Sequence, residues 1–311
     1  MIRCDASPSI GIGHLMRCLV LADAWRAAGG RAVFAMAADL GRDRLAAHEL
    51  APLASEGDPA EVIALAARTG ARWVVIDHYG LDAAYLGALA GAGLQTLAID
   101  DLAAHAFPVD VLVNSSADAT RDQYRLAPHT RCLLGPEFAL VRDVYRRARP
   151  ARPAGEPLET VLVSFGGSDP EDRTLAVVTA LALLARPPRI CAVLGPGYAG
   201  RIAETQAIVV RRDLADLAQP MRTSQLMIGA GGSTAWEACC LGLPMILWPF
   251  VANQQGLAAS LARLGAAALA TDASDVAARI AALTPATLAH MAGAAWDLVD
   301  GDGATRILMA T

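Results

Sequence analysis

The chain has 311 residues, 54% hydrophobic and 18% charged, which is enough for two ordinary domains with full cores and too apolar for a disordered polymer. Its net charge is −5 and all 26 basic residues are arginine. No basic stripe stands ready for a nucleic-acid polymer or an anionic membrane, and lysine chemistry (a P-loop lysine, a Schiff base, a pyridoxal phosphate anchor) is excluded.

The opening "MIRCDA" reads as a strand, short for a central one, so the true start is expected upstream. The loop that follows leads into a helix with its apolar phase at Leu15, Cys18 or Leu19, Ala22 and Trp25 and a stop at Gly29. Short apolar runs suited to buried parallel strands then alternate with helix-length segments. In the first half these are "RAVFAM", a helix at 60–70, "RWVVID", "LQTLAID" and "VDVLVN". Between Tyr145 and Glu159 three prolines and clustered arginines mark a linker. The pattern resumes with "ETVLVSF", "RICAVLG", "AIVVRR", "QLMIGA", a helix at 234–242 and "PMILWPF", and ends in a helical segment over 284–311 with Pro285 in its first turn. The expected architecture is α/β, with two open parallel sheets whose strand ends face a shared cleft. The domains are 1–150 and 151–311, the last helix packing back on the first. Six cysteines without C-x-x-C spacing predict buried, reduced thiols, and no apolar stretch reaches the roughly twenty residues of a membrane span, so a cytoplasmic protein is expected.

Several loops at predicted strand ends carry candidate chemistry. "GIGHLMR" has Gly11-x-Gly13, but Met16 replaces the third glycine of a dinucleotide fingerprint, which argues against a nicotinamide cofactor. His14 falls in the first turn of the helix, where a neutral imidazole can take a proton from water or an acceptor hydroxyl, or merely fill the turn. "VVIDHYG" puts Asp77, His78 and Tyr79 at another strand end, where they suit a polar ligand better than a core. In "SFGGSDPEDRT", Gly166 and Gly167 allow backbone amides to approach a phosphate, while Asp169-Pro170 also reads as an N-cap and N1 pair. In "GAGGSTAWEACCLGLP", Gly231, Gly232, Ser233 and Thr234 repeat the arrangement. Glu237 is placed either to accept two ribose hydroxyls or to close a capping box with Thr234. Asn253 and Gln254 offer amides to sugar or phosphate, or a helix cap.

Taken in order, "RCDASPSIGIGHLMRCLVLA", "IDHYG", "IDDLAAHAFPVDVLVN", "LLGPEFALVRDVY", "FGGSDP", "GAGGSTAWEACCLGLP" and "NQQGLAASLARLGA" resemble the UDP-2,4-diacetamido-2,4,6-trideoxy-β-L-altropyranose hydrolases of pseudaminic acid biosynthesis. "IGIGHLMR" with "DHYG" is the specific combination; the later glycine-rich motifs are shared with glycosyltransferases of the GT-B fold. The resemblance implies a GT-B fold of two Rossmann-like domains, UDP held by the second and the sugar facing the first. It also implies that His14 activates the water that attacks the anomeric carbon with inversion, and that neither metal nor cofactor takes part. The sugar candidates are Gly13, Asp77, Tyr79 and Asn253; the UDP candidates are Gly166, Gly167, Gly232, Ser233, Thr234, Glu237 and Gln254. The expected partner is the UDP-sugar alone, bound by a monomer. An inverting GT-B glycosyltransferase and a non-catalytic nucleotide-sugar binding module are the alternatives, since one scaffold hosts all three.

Overall fold

The computed structural model describes residues 1–6, 12–38, 41–151, 156–167 and 169–311, without the side chains of residues 252 and 253. They form two compact units, one of residues 1–141 and 302–311 and the other of residues 142–301.

The first unit contains β1 (Ile2–Cys4), β2 (Val33–Met36), β3 (Glu49–Pro52), β4 (Trp73–Asp77), β5 (Gln95–Ile99), β6 (Ala106–Phe107), β7 (Val111–Asn114), β8 (Arg125–Leu126) and β9 (Arg131–Leu134). Seven of them make one parallel sheet in the order β3-β2-β1-β4-β5-β7-β9, and β6 pairs with β8 separately. Although only three residues long, β1 is central and wholly buried. Its neighbours β2 and β4 lead away in opposite directions through the sheet, so the topological switch point lies at the β1 and β4 carboxyl ends. Three helices cover the sheet: α1 (Gly13–Ala27), α2 (Pro59–Thr69) and α3 (Ala83–Gly91). α1 buries Leu15, Cys18, Leu19 and Ala22 against one face, while Leu65, Leu86 and Leu89 of α2 and α3 fill the other. α1 ends where Gly29 N–H and Gly30 N–H bond back to Arg26 and Trp25, the paired bonds of a Schellman turn. α2 and α3 start on Asp58 and Asp82, whose carboxylates accept from Ala60 and Tyr85 amides.

The second unit repeats the plan. β10 (Thr160–Ser164), β11 (Arg189–Leu194), β12 (Ile208–Arg212), β13 (Leu226–Gly229), β14 (Met245–Leu247) and β15 (Ala267–Leu269) form a parallel sheet in the order β12-β11-β10-β13-β14-β15. Its switch point lies between β10 and β13. The helices are α4 (Asp143–Ala148), α5 (Arg173–Ala182), α6 (Ala218–Arg222), α7 (Thr234–Leu241), α8 (Ala252–Arg263), α9 (Ala273–Ala282) and α10 (Pro285–Leu298). The segment expected as one helix over 284–311 is two. Thr284 caps α10 through the Thr287 amide, and after a break α11 (Gly303–Leu308) joins the first unit, placing Ala304 and Ile307 in the α1 core. β3, β9 and β15 were not anticipated. Each is a sheet edge and partly solvated; β3 and β9 open on a charged residue, and β15 is a three-residue, alanine-rich run without the β-branched residues that mark a strand. Among the described residues no helix is long and apolar enough to cross a membrane.

Arg149 ties the second unit together. Its guanidinium donates to the carbonyls of Cys240, Trp296 and Val299 at the C-terminal ends of α7 and α10, and lies 4.0 Å from the Trp296 ring centre. It therefore meets the negative ends of two helix dipoles at once. Arg149→Ala should destabilise this unit by about 2–3 kcal/mol, read as a lower urea midpoint.

Candidate active site

In the first unit the strand order and the start of α1 bring His14, Arg17 and Asp77 together. Asp77 is the last residue of β4, in register with Cys4 of β1, at the switch point. Gly13, exposed, is the first residue of α1, and His14, 6% exposed, is the second. The Nδ1 of His14 lies 2.5 Å from Asp77 Oδ1. Arg17, one turn along α1, donates Nε to Asp77 Oδ2 at 2.5 Å and Nη2 to Oδ1 at 2.6 Å, a bidentate fork. Cys18 Sγ adds a weak contact to Oδ2 at 3.6 Å. Burial pushes the Asp77 carboxyl up, but Arg17 and His14 outweigh it and hold its pKa at about 2. An ionised Asp77 can only accept, so Nδ1 carries the imidazole proton and Nε2 presents a lone pair. Among the described residues no hydrogen bond reaches Nε2.

A second carboxylate completes the cluster. Arg17 Nη1 donates to Asp101 Oδ2 at 2.6 Å, and the same oxygen accepts from the Tyr79 hydroxyl at 2.9 Å. The Tyr79 ring stands edge-on to His14, centroids 4.5 Å apart. Burial and Asp101 raise the Tyr79 hydroxyl above its ordinary pKa, so it stays a donor. Burial opposes the Arg17 charge, yet Asp77 and Asp101 raise its pKa above the usual value. Asp77, a sugar candidate from sequence, is fully buried, with both oxygens taken by His14, Arg17 and Cys18. Sequence reasoning assigned no role to Arg17 or Asp101. The spacing of His14 and Arg17 puts both on one face of α1 and is a usable signal for the first; Asp101 comes in only through the β4–β5 pairing.

In the second unit the candidates gather at the carboxyl ends of β10, β13 and β14, three adjacent strands. Gly166 and Gly167 are exposed, and a Cβ on either would meet nothing within 4 Å. Gly166 has φ +93, which favours glycine. The neighbouring loop depends on this backbone: a Cβ on Gly195 would fall 2.5 Å from Gly167, and Gly197 N–H bonds to the Gly167 carbonyl. The helix that follows does not start at Pro170. Asp169, buried, accepts from the amides of Arg173 and Thr174 and from the Thr174 hydroxyl, so α5 begins at Arg173 with a carboxylate already on its first-turn donors.

α7 starts differently. Its N-cap residue Ser233 is exposed and makes no side-chain cap, and among the described residues the main-chain N–H groups of Gly232 and Ser233 have no acceptor. Thr234 is the first helical residue, so a capping box of Thr234 and Glu237, one of the two readings of Glu237, does not form. Glu237 instead accepts from Arg142 Nε at 2.8 Å, because a guanidinium outcompetes a neutral amide for a carboxylate. Arg142 also donates to the Ala215 carbonyl and the Tyr145 hydroxyl, which in turn accepts from Leu217 N–H. Burial raises the Glu237 carboxyl, and Arg142 and the Tyr145 hydroxyl pull it back only in part. Arg142 and Tyr145 lie inside the quoted "VRDVY" but received no role from sequence. Gln254, on α8, directs Oε1 to the Phe250 amide at 3.2 Å, and its backbone packs beside Gly231. Gly11 and the side chain of Asn253 lie outside the described residues. No group of three His, Cys, Asp or Glu side chains is placed to hold a metal among the described residues.

Comparison of the whole chain with solved structures gives MurG of Acinetobacter baumannii, TM-score 0.69 at 14% identity over 99% of this chain and 98% of that one. It also gives the spinosyn rhamnosyltransferase SpnG complexed with thymidine diphosphate, TM-score 0.68 at 18% identity over 98% and 96%. The chain has the GT-B fold. No family model matches. By sequence, the spore coat polysaccharide biosynthesis protein SpsG of Bacillus subtilis is 26% identical over 166 residues, 51% of this chain and 49% of SpsG. The chain spans half or less of the length of the curated relatives it matches.

The Asp77 geometry makes stability depend on pH. A carboxyl held at about 2 when folded and near 3.9 when unfolded contributes fully above pH 4, and that contribution is lost as pH falls through 2. Asp77→Asn should abolish this part of the acid sensitivity, about 2 kcal/mol between pH 4 and pH 2, measured by urea unfolding at the two pH values.

Proposed function

We propose that the chain acts on a nucleoside diphosphate sugar, with His14 as general base for an inverting displacement at the anomeric carbon. The single observation that carries this is the His14–Asp77 pair, in which a buried, ionised carboxylate fixes Nδ1–H and leaves Nε2 to accept a proton. In the reaction the nucleophile's oxygen bonds to C1 as the C1–O bond to the diphosphate breaks. The diphosphate leaves with the electron pair, and the nucleophile's proton passes to Nε2. Tyr79 and Gly13 border the sugar, and Asp77 serves as orienting partner rather than sugar ligand. The first unit is thus the catalytic domain and the second the UDP-binding domain. There Gly166, Gly167, Gly232, Ser233 and Thr234 supply amides and hydroxyls to the diphosphate, Gln254 and Asn253 flank it, and Glu237 takes the ribose. Amides aimed at a developing diphosphate charge stabilise the leaving group without a dedicated acid.

Two nucleophiles fit this chemistry. An acceptor hydroxyl makes the chain an inverting glycosyltransferase, and the fold relatives MurG and SpnG support that at least as well as hydrolysis. Water makes it a hydrolase of a UDP-linked diacetamido-trideoxy sugar. That is supported by "IGIGHLMR" with "DHYG", and by the small exposure of His14 beneath the Tyr79 edge, which suits a compact nucleophile. Participation in polysaccharide biosynthesis, the role for which SpsG is named, is compatible with either.

With UDP-2,4-diacetamido-2,4,6-trideoxy-β-L-altropyranose as donor, UDP release without acceptor identifies the hydrolase. Release only on adding an acceptor identifies the transferase, and UDP binding without release under either condition leaves a binding module. His14→Ala should cut turnover by roughly 10²–10⁴-fold while calorimetric UDP affinity stays unchanged; parental turnover would remove the base assignment. Glu237→Gln should weaken UDP binding roughly tenfold with kcat at saturating donor little altered.

A further inference from the structure

Two carboxylates and one guanidinium surround His14, and the second carboxylate has no part in the reaction as written. Asp77 faces the ring from β4, Arg17 from α1, and Tyr79 from the loop after β4; Asp101 closes the group from the loop after β5. His78, also near, is held neutral by burial and the Arg3 charge, and its neighbour Asp5 is paired with Arg3. Cys18, buried, has its thiol pKa raised by desolvation and stays protonated. Among the described residues, the charged groups of this cluster are Asp77, Arg17 and Asp101. Arg17 alone would work against the base. Its Nη2 lies 3.3 Å from His14 Nδ1, and its fork draws the Asp77 charge away from the imidazole, so an imidazolium beside an Asp77–Arg17 pair gains less attraction than beside Asp77 alone.

We propose that Asp101 is a positioning residue for the His14 base. By pairing with Arg17 it leaves the cluster one negative charge in excess, which the imidazolium formed on proton transfer neutralises. This inference rests on His14 acting as the base. Asp101 touches no reacting atom; it acts through Arg17, and through Tyr79, whose hydroxyl it anchors while the ring lies against His14. At 31% exposure it can be replaced without opening the core.

The test uses the full chain and two readouts. Nitrogen-15 NMR follows the pH at which the His14 ring takes up its proton, with no substrate needed. Turnover of the UDP-sugar named above is measured in parallel. Asp101→Asn should lower that pH by roughly half a unit or more, because the imidazolium loses its compensating charge. It should also reduce kcat about tenfold with KM changed less than about twofold, since a weaker base removes less of the barrier. Asp101→Glu should restore both. A ring that titrates at the parental pH in Asp101→Asn overturns the proposal. Parental turnover in His14→Ala overturns the base assignment instead, and the NMR titration still judges the charge coupling alone.

Discussion

The Asp77 carboxylate is the constraint on which the first unit's site depends. A buried charge of this kind persists only when paired, and here three groups of α1 (His14, Arg17 and Cys18) converge on two oxygens at the end of one strand. The convergence fixes how α1 lies on the sheet, because His14 and Arg17 share a helix face and both must reach the β4 terminus. It also fixes the imidazole tautomer. One interaction thereby couples packing, pH-dependent stability and the proton-accepting nitrogen.

The second unit meets the same physical problem, polar groups at the carboxyl ends of a parallel sheet, with two different solutions. At α5 the protein supplies its own anion, since Asp169 occupies the first-turn donors. At α7 the donors at Gly232 and Ser233 have no acceptor among the described residues, and Glu237 is withdrawn into a network with Arg142 and Tyr145. A terminus left open beside a switch point is where an anionic ligand gains most from aligned amides. The contrast separates a helix start whose donors are already met from one whose donors stand open among the described residues, although both follow a double glycine in sequence.

Much of the fold was legible in the linear chain. Central parallel strands are buried on both faces, so "VVID", "VLVN" and "VLVS" read as continuous apolar runs, and Gly29 and Pro285 marked helix ends that local geometry honours. The edge strands β3 and β9 escaped because a half-solvated strand needs no such run, and β15 because its alanine-rich sequence carries no strand preference. The break between α10 and α11 falls on Asp300-Gly301-Asp302-Gly303, a turn signal in the sequence with Gly301 at φ +92, which the reading of 284–311 as one helical segment passed over.

The candidate site divides along the same line. Residue types and loop positions by themselves determined that His14, Asp77, Tyr79 and the glycine pairs lie at strand ends, since strand, loop and helix alternate with a short period that local propensity controls. Which of them touch was decided only by tertiary structure. Asp77 and His14 are separated by 63 residues, Arg17 and Asp101 by 84, and Arg142 and Glu237 by 95. Pairing over such distances is set by strand order, a property of the assembled sheet and of no local segment. The capping-box reading of Glu237 fails for the same reason, because Arg142, 95 residues away in the chain, stands 2.8 Å from its carboxylate and outcompetes a helix amide.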